Sequence, residues 1–244
     1  SLKAFNHFFL QDTESLELLK SIGLNNCTVC GDIRFDRVIQ VANEKKELPQ
    51  IRQFKNGNLL VVCGSTWPID EVYLLEIIAE SPQNVKWIFA PHQIQPTEIQ
   101  KLTKIPNINT VLYSTDNDME TLRQAKLLVI DCIGLLSSVY AYADIAYVGG
   151  GFGKAVHNTA EPAVYGIPVV IGPIYHKFKE AVDMSEIGAV LVARTQAELR
   201  HHFHSLLSSD ELRQKCGRKA KEYIINYSGG TKIIWAKTKT LLIQ

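Results

Sequence analysis

The stretch that decides the fold spans residues 145–162 and reads Ile145-Ala146-Tyr147-Val148-Gly149-Gly150-Gly151-Phe152-Gly153-Lys154-Ala155-Val156-His157-Asn158-Thr159-Ala160-Glu161-Pro162. Its first four residues are apolar and rich in β-forming types, which is typical of a buried strand. A glycine loop follows at residues 149–153, and the pattern restarts as a helix at Asn158. Glycine lets a backbone approach a ligand closely, and the N–H groups at a helix start attract anions such as phosphate. The stretch therefore predicts an anion-binding turn. The alternative is a tight structural turn with Asn158 as its cap.

The composition of the chain is that of an ordinary globular protein. Of its 244 residues, 46% are hydrophobic and 21% are charged, which is enough to build a sizeable core. The net charge of +1 gives no indication of nucleic-acid binding. No apolar run approaches the roughly 20 residues of a membrane-spanning helix. Cys27 and Cys30 form a C-x-x-C pair, but no second pair completes a zinc site. We therefore expect buried thiols there, and no metal.

Strand and helix patterns alternate from residue 59 onwards. Apolar runs predict strands at residues 59–63, 85–90, 110–113, 127–130, 144–148, 168–171 and 189–192. Helices are predicted at residues 68–80, 96–104, 135–142, 158–165 and 176–187, with three more beginning near Thr195, Asp210 and Thr231. This alternation predicts an α/β fold, a Rossmann-like doubly wound parallel sheet covered on both faces. Before it, the sequence predicts a helix from Thr13, a strand at residues 27–30 and a polar linker or crossover at residues 43–57.

Ligands of a doubly wound sheet bind outside the carboxyl ends of its strands. The expected strand ends are Gly64-Ser65-Thr66, Pro91-His92-Gln93, Asp131, the glycine loop and Gly172-Pro173. Ser65 and Thr66 could bind phosphate or cap the helix that follows them. Asp131 is expected to cap the helix predicted at residues 135–142. Lys177 and the basic residues around it would add positive charge beside the glycine loop.

Several common enzyme classes lack their motifs in this chain. There is no G-x-x-x-x-G-K-[ST] sequence, which excludes a P-loop NTPase. No acidic strand end follows the glycine loop by about 20 residues, which disfavours a nicotinamide enzyme. A G-x-S-x-G nucleophile elbow is absent as well. A sheet-edge site for a phosphorylated ligand is what remains.

Seven short motifs, taken in order along the chain, resemble those of a known family. They are Gly31-Asp32-Ile33-Arg34-Phe35-Asp36-Arg37, Gly64-Ser65-Thr66, Ala90-Pro91-His92, Asp131-Cys132-Ile133-Gly134-Leu135-Leu136, Tyr142-Ala143-Asp144, Val148-Gly149-Gly150-Gly151-Phe152 and His157-Asn158-Thr159-Ala160-Glu161-Pro162. In order and spacing they resemble the 3-deoxy-D-manno-octulosonic acid (Kdo) transferases of Gram-negative bacteria. The combination of G-G-G-F with H-N-x-x-E-P is fairly specific, whereas each short piece is weak by itself.

The resemblance implies the C-terminal half of a GT-B glycosyltransferase, an enzyme built from two Rossmann-like domains. Residues 1–40 would be the tail of the N-terminal domain and the interdomain region. Residues 41–244 would form the nucleotide-sugar-binding domain, whose last helix crosses back toward the N-terminal domain. The donor would be CMP-Kdo, and inverting transfer to a lipid A precursor would serve lipopolysaccharide biosynthesis. The catalytic base, the acceptor site and a membrane anchor would lie in the missing N-terminal domain.

The resemblance also implies where the enzyme works and what this chain can do alone. The full-length enzyme would work at the cytoplasmic face of the inner membrane, without a metal or a cofactor. This fragment would contain no catalytic residue and would be inactive alone.

The resemblance also implies a set of donor-binding residues. The glycine loop, comprising Gly149, Gly150, Gly151, Phe152 and Gly153, would face the CMP phosphate together with the helix start at Asn158, and His157 and Lys177 would belong to the same donor site. Glu161 would take a ribose or sugar hydroxyl, and Ser65 and Thr66 would line the same cleft. The cytosine side would be formed by Pro91, His92, Ile133 and Gly134. Many family members have an Arg where this chain has His92 and a Glu where it has Leu135, so the cytosine-side contacts depart most from the family pattern.

Two other functions fit the same sequence features. One is another GT-B enzyme, such as a UDP-sugar transferase or a UDP-N-acetylglucosamine 2-epimerase. The epimerases usually show His-Ser-Gly-Gly before their Glu, which is absent here. The other is a non-catalytic nucleotide-binding module.

Overall fold

The computed structural model describes residues 2–242, which form two parallel sheets and twelve α-helices. The small sheet contains β1 (Phe8–Leu10) and β2 (Cys27–Val29). The large sheet contains β3 (Leu59–Thr66), β4 (Val85–Pro91), β5 (Thr110–Leu112), β6 (Leu127–Val129), β7 (Ile145–Val148), β8 (Val169–Ile171) and β9 (Val190–Val192). The helices are α1 (Thr13–Ser21), α2 (Ile33–Asn43), α3 (Pro49–Lys55), α4 (Pro68–Glu80), α5 (Pro96–Thr103), α6 (Met119–Gln124), α7 (Leu136–Val139), α8 (Ala160–Ala163), α9 (Lys179–Glu186), α10 (Gln196–Ser208), α11 (Asp210–Asn226) and α12 (Gly230–Leu242).

The large sheet has the strand order β5-β6-β4-β3-β7-β8-β9, and all its neighbouring strands pair in parallel. The Rossmann-like doubly wound fold is therefore confirmed. The chain enters at β3, builds one half outward through β4, and returns to place β7 on the other side of β3. The order reverses between β3 and β7, and the crevice at such a switch point is where ligands of this fold bind.

Two apolar layers cover the sheet, one on each face. Along β3, Leu60 and Val62 pack into one layer, whereas Val61 and Cys63 pack into the other. Both faces of the sheet are buried, so the strand sequences are continuous apolar runs rather than alternating apolar and polar residues. No helix within residues 2–242 has the length and hydropathy required to cross a membrane.

Of the two expectations for the polar segment at residues 43–57, a linker or a crossover, the linker is wrong. The segment contains α3, which begins with Pro49 in its first turn and buries Ile51 and Phe54 completely. Two apolar residues spaced by three positions give a short helix one buried side. They were too few to produce a clear periodic signal.

Two element boundaries and one helix cap also differ from expectation. β3 continues to Thr66, which places Ser65 and Thr66 in the strand rather than in a turn. α8 has four residues, since Gly166 takes a left-handed conformation (φ +75°) soon after it. Asp131 does not cap α7; its carboxylate accepts hydrogen bonds from the Ser114 amide and hydroxyl and so joins the ends of β5 and β6.

The expected domain boundary at residue 40 falls inside α2. This helix buries Phe35 in the main core and carries Arg34, which pairs with Glu180 of α9. β1, α1 and β2 precede it as a small separate unit. Cys27 in this unit is half-buried and Cys30 beside it is buried, and both are free thiols.

Candidate functional site

The glycine loop is packed backbone against backbone. A Cβ atom on Gly149 would lie 2.4 Å from the Ser65 carbonyl oxygen, and one on Gly151 would lie 2.7 Å from the Gly172 Cα. Gly150 adopts φ +92°, a conformation that favours glycine. These glycines are therefore explained by the close approach of the loop to the ends of β3 and β8. This is the packing expected of a tight structural turn, the alternative to an anion-binding turn. Gly153 is exposed, and a Cβ atom there would meet only a side-chain atom of Ile69 at an ordinary 3.5 Å.

Internal partners also engage most of the loop amides that were expected to face a phosphate. The Gly149 amide donates to the Gly64 carbonyl at 2.9 Å, and the amides of Gly153 and Lys154 both donate to the Gly150 carbonyl. The Gly150 amide donates to the carboxylate of Asp70 at 2.9 Å. Ligand contact through the amides of Gly149, Gly150 and Gly153 is thus not available in this arrangement.

Four side chains form an aromatic and cationic cluster above the switch point. The indole N–H of Trp67 donates to Nε2 of His157 at 3.1 Å, and the planes of the two rings are nearly parallel, with an angle of 11° between them. His92 stacks on both, with ring centroids 4.6 Å from Trp67 and 4.3 Å from His157. Nζ of Lys154 lies 3.9 Å from the Trp67 ring centroid, a cation–π contact. Burial, followed by the neighbouring His92, lowers the pKa of His157, and the charge of Asp70 opposes this effect.

The residues after the loop present a carboxylate. The Asn158 side chain accepts a hydrogen bond at 3.1 Å from the amide of Ala160, the first residue of α8, and its own amide group donates to Glu161 at 3.1 Å. The other oxygen of Glu161 accepts from the Ser137 hydroxyl at 3.1 Å. Each carboxylate oxygen can accept more than one hydrogen bond, so Glu161 is oriented and still able to receive ligand hydroxyls.

Two adjoining cavities open beside Glu161 and His157, between α2 and the residues after the glycine loop. The first has a volume of about 380 Å³ and is lined by Arg34, Arg37, Val38, Val41, Ala42, Ser137, Asn158, Glu161, Val164 and Tyr165. The second has a volume of about 250 Å³ and is lined by Arg34, Phe35, His157, Asn158, Ala160, Phe178 and Glu180. A larger cavity of about 540 Å³ lies at the opposite edge of the sheet, and no residue of the predicted site lines it.

The arginines of the cavity wall come from α2. Arg34 donates to Asp32 and to the buried Glu180, and these two carboxylates neutralise its charge locally. Hydrogen bonding to Asp32 is the main cause that raises the pKa of Arg34. Arg37 donates to the neutral Gln40 at 3.0 Å and lines the same cavity as Glu161.

The other residues predicted from the sequence are spread along the rim. Thr66 is buried and donates its hydroxyl to Glu71 at 2.8 Å, which takes that hydroxyl out of the cleft. Ser65 is half-buried with φ +52° at a bulge in β3. Phe152 packs edge-on against Tyr73, 5.1 Å between centroids. Ile133, Gly134 and Lys177 are exposed and Pro91 is half-buried, and none of these four lines either cavity.

Sequence reasoning assigned no role to four residues of this site: Trp67, Asp70, Arg34 and Arg37. The sequence nevertheless contains a pattern that points to Trp67 and Asp70, and another that contains Arg34 and Arg37. Asp70 stands three positions after Trp67 with Pro68 between them, which is the spacing of a helix-capping carboxylate. Arg34 and Arg37 belong to the motif at residues 31–37, but only the tertiary structure brings that helix beside Glu161.

The chain is similar in sequence to curated 3-deoxy-D-manno-octulosonic acid transferases. It is 29% identical over 172 residues to the one from Chlamydophila psittaci, a match that covers 68% of this chain and 39% of the relative. The resemblance to the Kdo transferases is confirmed. The chain spans about half the length of the curated Kdo transferases that it matches. No family model matches it.

Two solved structures share the fold. The C-terminal CMP-Kdo binding domain of WaaA from Acinetobacter baumannii superposes with a TM-score of 0.64 at 22% identity, covering 77% of this chain and 98% of that domain. WaaG, a glycosyltransferase involved in lipopolysaccharide biosynthesis, superposes with a TM-score of 0.51 at 15% identity, covering 95% of this chain and 62% of WaaG. At these identities the likeness shows the fold, the Rossmann-like half expected of a GT-B glycosyltransferase.

Proposed function

We propose that this chain is the donor-binding part of a Kdo transferase and that it holds CMP-Kdo at the carboxyl edge of its large sheet. The observation that supports this most is the setting of Glu161. Glu161 lines a cavity beside the switch point together with Arg37 of α2, and His157 lines the adjoining cavity. A sugar nucleotide carries many hydroxyls and at least one anionic group, which are the partners that a carboxylate and a guanidinium bind.

Each part of the donor has a partner in this proposal. Glu161 accepts hydrogen bonds from ribose or sugar hydroxyls, while Arg37 pairs with an anionic group of the donor. The ring faces around His92 lie on the side assigned to the cytosine. We assign Gly153, Phe152 and Asn158 to the phosphate side of the donor, with Lys177 as a nearby positive charge.

The proposed chemistry breaks the bond between the anomeric carbon of Kdo and a phosphate oxygen of CMP, while an acceptor hydroxyl attacks from the opposite face. Negative charge grows on the departing CMP, and cations fixed nearby stabilise it. Lys154, held over Trp67, and the exposed Lys177 would supply that charge. We assign the catalytic base, the lipid A precursor and contact with the inner membrane to the part of the enzyme that the longer relatives have in addition. This chain should then bind CMP without transferring Kdo.

Titration calorimetry with CMP, UMP and UDP tests the proposal. We expect measurable heat with CMP and at least tenfold weaker binding of UMP, which has the same phosphate charge and differs only in the base. Equal affinity for UMP or UDP would remove the cytidine assignment in favour of a UDP-sugar enzyme. Absence of binding by all three nucleotides would favour a non-catalytic module.

A further inference from the structure

A buried carboxylate lies between the two halves of the switch point. Asp70 is in the first turn of α4 and is completely buried. Its Oδ1 accepts from the Tyr147 hydroxyl of β7 at 2.6 Å. Its Oδ2 accepts from the Gly150 amide and the Trp67 amide, each at 2.9 Å. One side chain thus joins the helix after β3, the strand β7 and the glycine loop.

The partners of Asp70 hold both ends of residues 150–157. Gly150 is held directly, and its positive φ fixes the direction in which the loop leaves β7. His157 is held through Trp67, since the Asp70 carboxylate fixes the Trp67 backbone and the indole then donates to His157. Asn158 and Glu161 follow immediately, so their position depends on the same anchor.

We propose that Asp70 is the positioning residue of the donor site: it sets the shape of the glycine loop and thereby the placement of His157 and Glu161. Its effect on donor affinity rests on the proposed function, whereas its effect on the loop does not. All three of its partners donate hydrogen bonds, which two carboxylate oxygens satisfy fully. Asp70 touches no ligand and acts through Gly150 and Trp67.

The neighbouring residue is a matched control. Glu71 is also buried in the first turn of α4, but it accepts a hydrogen bond from Thr66 and makes none to the glycine loop. Removing either carboxylate costs stability, because a buried donor loses its acceptor. Only removal of Asp70 should alter the loop.

The experiment compares Asp70→Ala, Glu71→Ala and Asp70→Asn by ¹H–¹⁵N NMR and CMP titration. In Asp70→Ala we expect the Gly150 amide to exchange at least tenfold faster than in Glu71→Ala, and the Trp67 indole signal to move. CMP affinity should fall at least tenfold below that of Glu71→Ala. Asp70→Asn should restore both readouts to within about threefold of the wild type, because one amide oxygen can accept from both backbone amides while the Tyr147 hydroxyl turns to accept from Nδ2.

Each outcome decides the proposal. Unchanged Gly150 exchange and Trp67 signal in Asp70→Ala, or CMP binding as strong as in Glu71→Ala, would overturn it. If Asp70→Ala does not fold, the wild-type protein decides: a Gly150 amide that exchanges as slowly as the amides of β3 supports the anchor, and a fast one refutes it. If the wild type binds no CMP, the proposed function fails, and the exchange data still decide the role of Asp70 in the loop.

Discussion

At the scale of single residues, Glu161 is the side chain on which donor recognition depends most directly. Its two oxygens are held by Ser137 and Asn158, so the carboxylate is oriented before a ligand arrives. A hydrogen bond to a charged group contributes about 1.5–3 kcal/mol. We therefore predict that Glu161→Ala weakens CMP-Kdo binding by about tenfold to a hundredfold.

Calorimetry with CMP-Kdo checks this prediction, and Glu161→Gln should lie between alanine and the wild type because an amide keeps one acceptor. Glu211→Ala, which removes an exposed carboxylate from α11, is the control for a change in net charge. Donor affinity that is the same in Glu161→Ala and Glu211→Ala would take Glu161 out of the site.

His157 makes the stability of the site depend on pH. Trp67 can only donate, so Nε2 of His157 must carry no proton to accept this hydrogen bond. Burial and His92 lower the pKa of His157 in the folded protein, so the unfolded state binds the proton more readily. The contribution of His157 is therefore complete above the unfolded pKa of about 6.5 and is lost as the pH falls from there toward the folded pKa.

Urea unfolding between pH 5 and pH 8 measures this effect. Wild-type stability should decline below pH 6.5, and His157→Gln should show a shallower decline over the same interval. The same substitution at His204, which is exposed on α10, controls for the loss of an imidazole. A pH dependence that His157→Gln leaves unaltered would show that another group is responsible.

At the scale of elements, the glycine loop is held by its neighbours at the ends of β3 and β8. A Cβ on Gly151 would meet the backbone of Gly172 at 2.7 Å, and backbone cannot rotate away as a side chain can. At Gly153 the nearest atom, from Ile69, is at an ordinary 3.5 Å. We predict that Gly151→Ala lowers the free energy of unfolding by about 1–3 kcal/mol, whereas Gly153→Ala changes it by less than about 1 kcal/mol.

Chemical denaturation of the two variants tests this pair, because they carry the same added methyl group two residues apart. Equal stabilities would mean that the loop is loose enough to move. Weaker CMP binding by Gly153→Ala with normal stability would place the ligand against this exposed end of the loop.

The sequence predicted the secondary-structure elements well where burial leaves a clear apolar pattern, and less well where few apolar residues are buried. Strands buried on both faces appear as apolar runs, so the strands of the large sheet were found near their true positions. α3 was missed because its buried side consists of two residues. The loop was recognised from its glycines. The packing that requires those glycines could not be predicted, because the contacts with Ser65 and Gly172 join parts of the chain that are distant in sequence. Arg37 belongs to a motif recognised in the sequence, but it received no role there, because only the folded chain brings it into the cavity that Glu161 lines.

At the scale of the whole molecule, α2 connects the small N-terminal unit to the main domain and belongs physically to the latter. Phe35 is buried and packs edge-on against Tyr223, 5.9 Å between ring centroids. Asp36 accepts hydrogen bonds from backbone amides at the start of α12. Arg34 provides the partner of the buried Glu180. From these contacts we propose a domain boundary near residue 30, in place of the one expected at residue 40.

Two truncated chains distinguish these boundaries. A fragment of residues 31–244 keeps α2, and we predict that it melts within about 4 °C of the whole chain, a shift that corresponds to roughly 1–2 kcal/mol at this size. A fragment of residues 45–244 loses Phe35, worth about 3–5 kcal/mol, and leaves Glu180 as a buried charge without its partner. This loss approaches the whole stability of a typical domain, so the shorter fragment should melt at least about 10 °C lower or fail to fold.

Calorimetric melting of both fragments, with Phe35→Ala in residues 31–244 as an intermediate, makes the comparison quantitative. The intermediate should fall between the two fragments, because it loses the buried ring and keeps the Arg34–Glu180 pair. If residues 45–244 melt like the whole chain, α2 is not part of the domain and the boundary at residue 40 is correct. In that case Arg37 would also belong to a separate unit, and the cavity beside Glu161 would have one of its walls on the far side of a domain boundary.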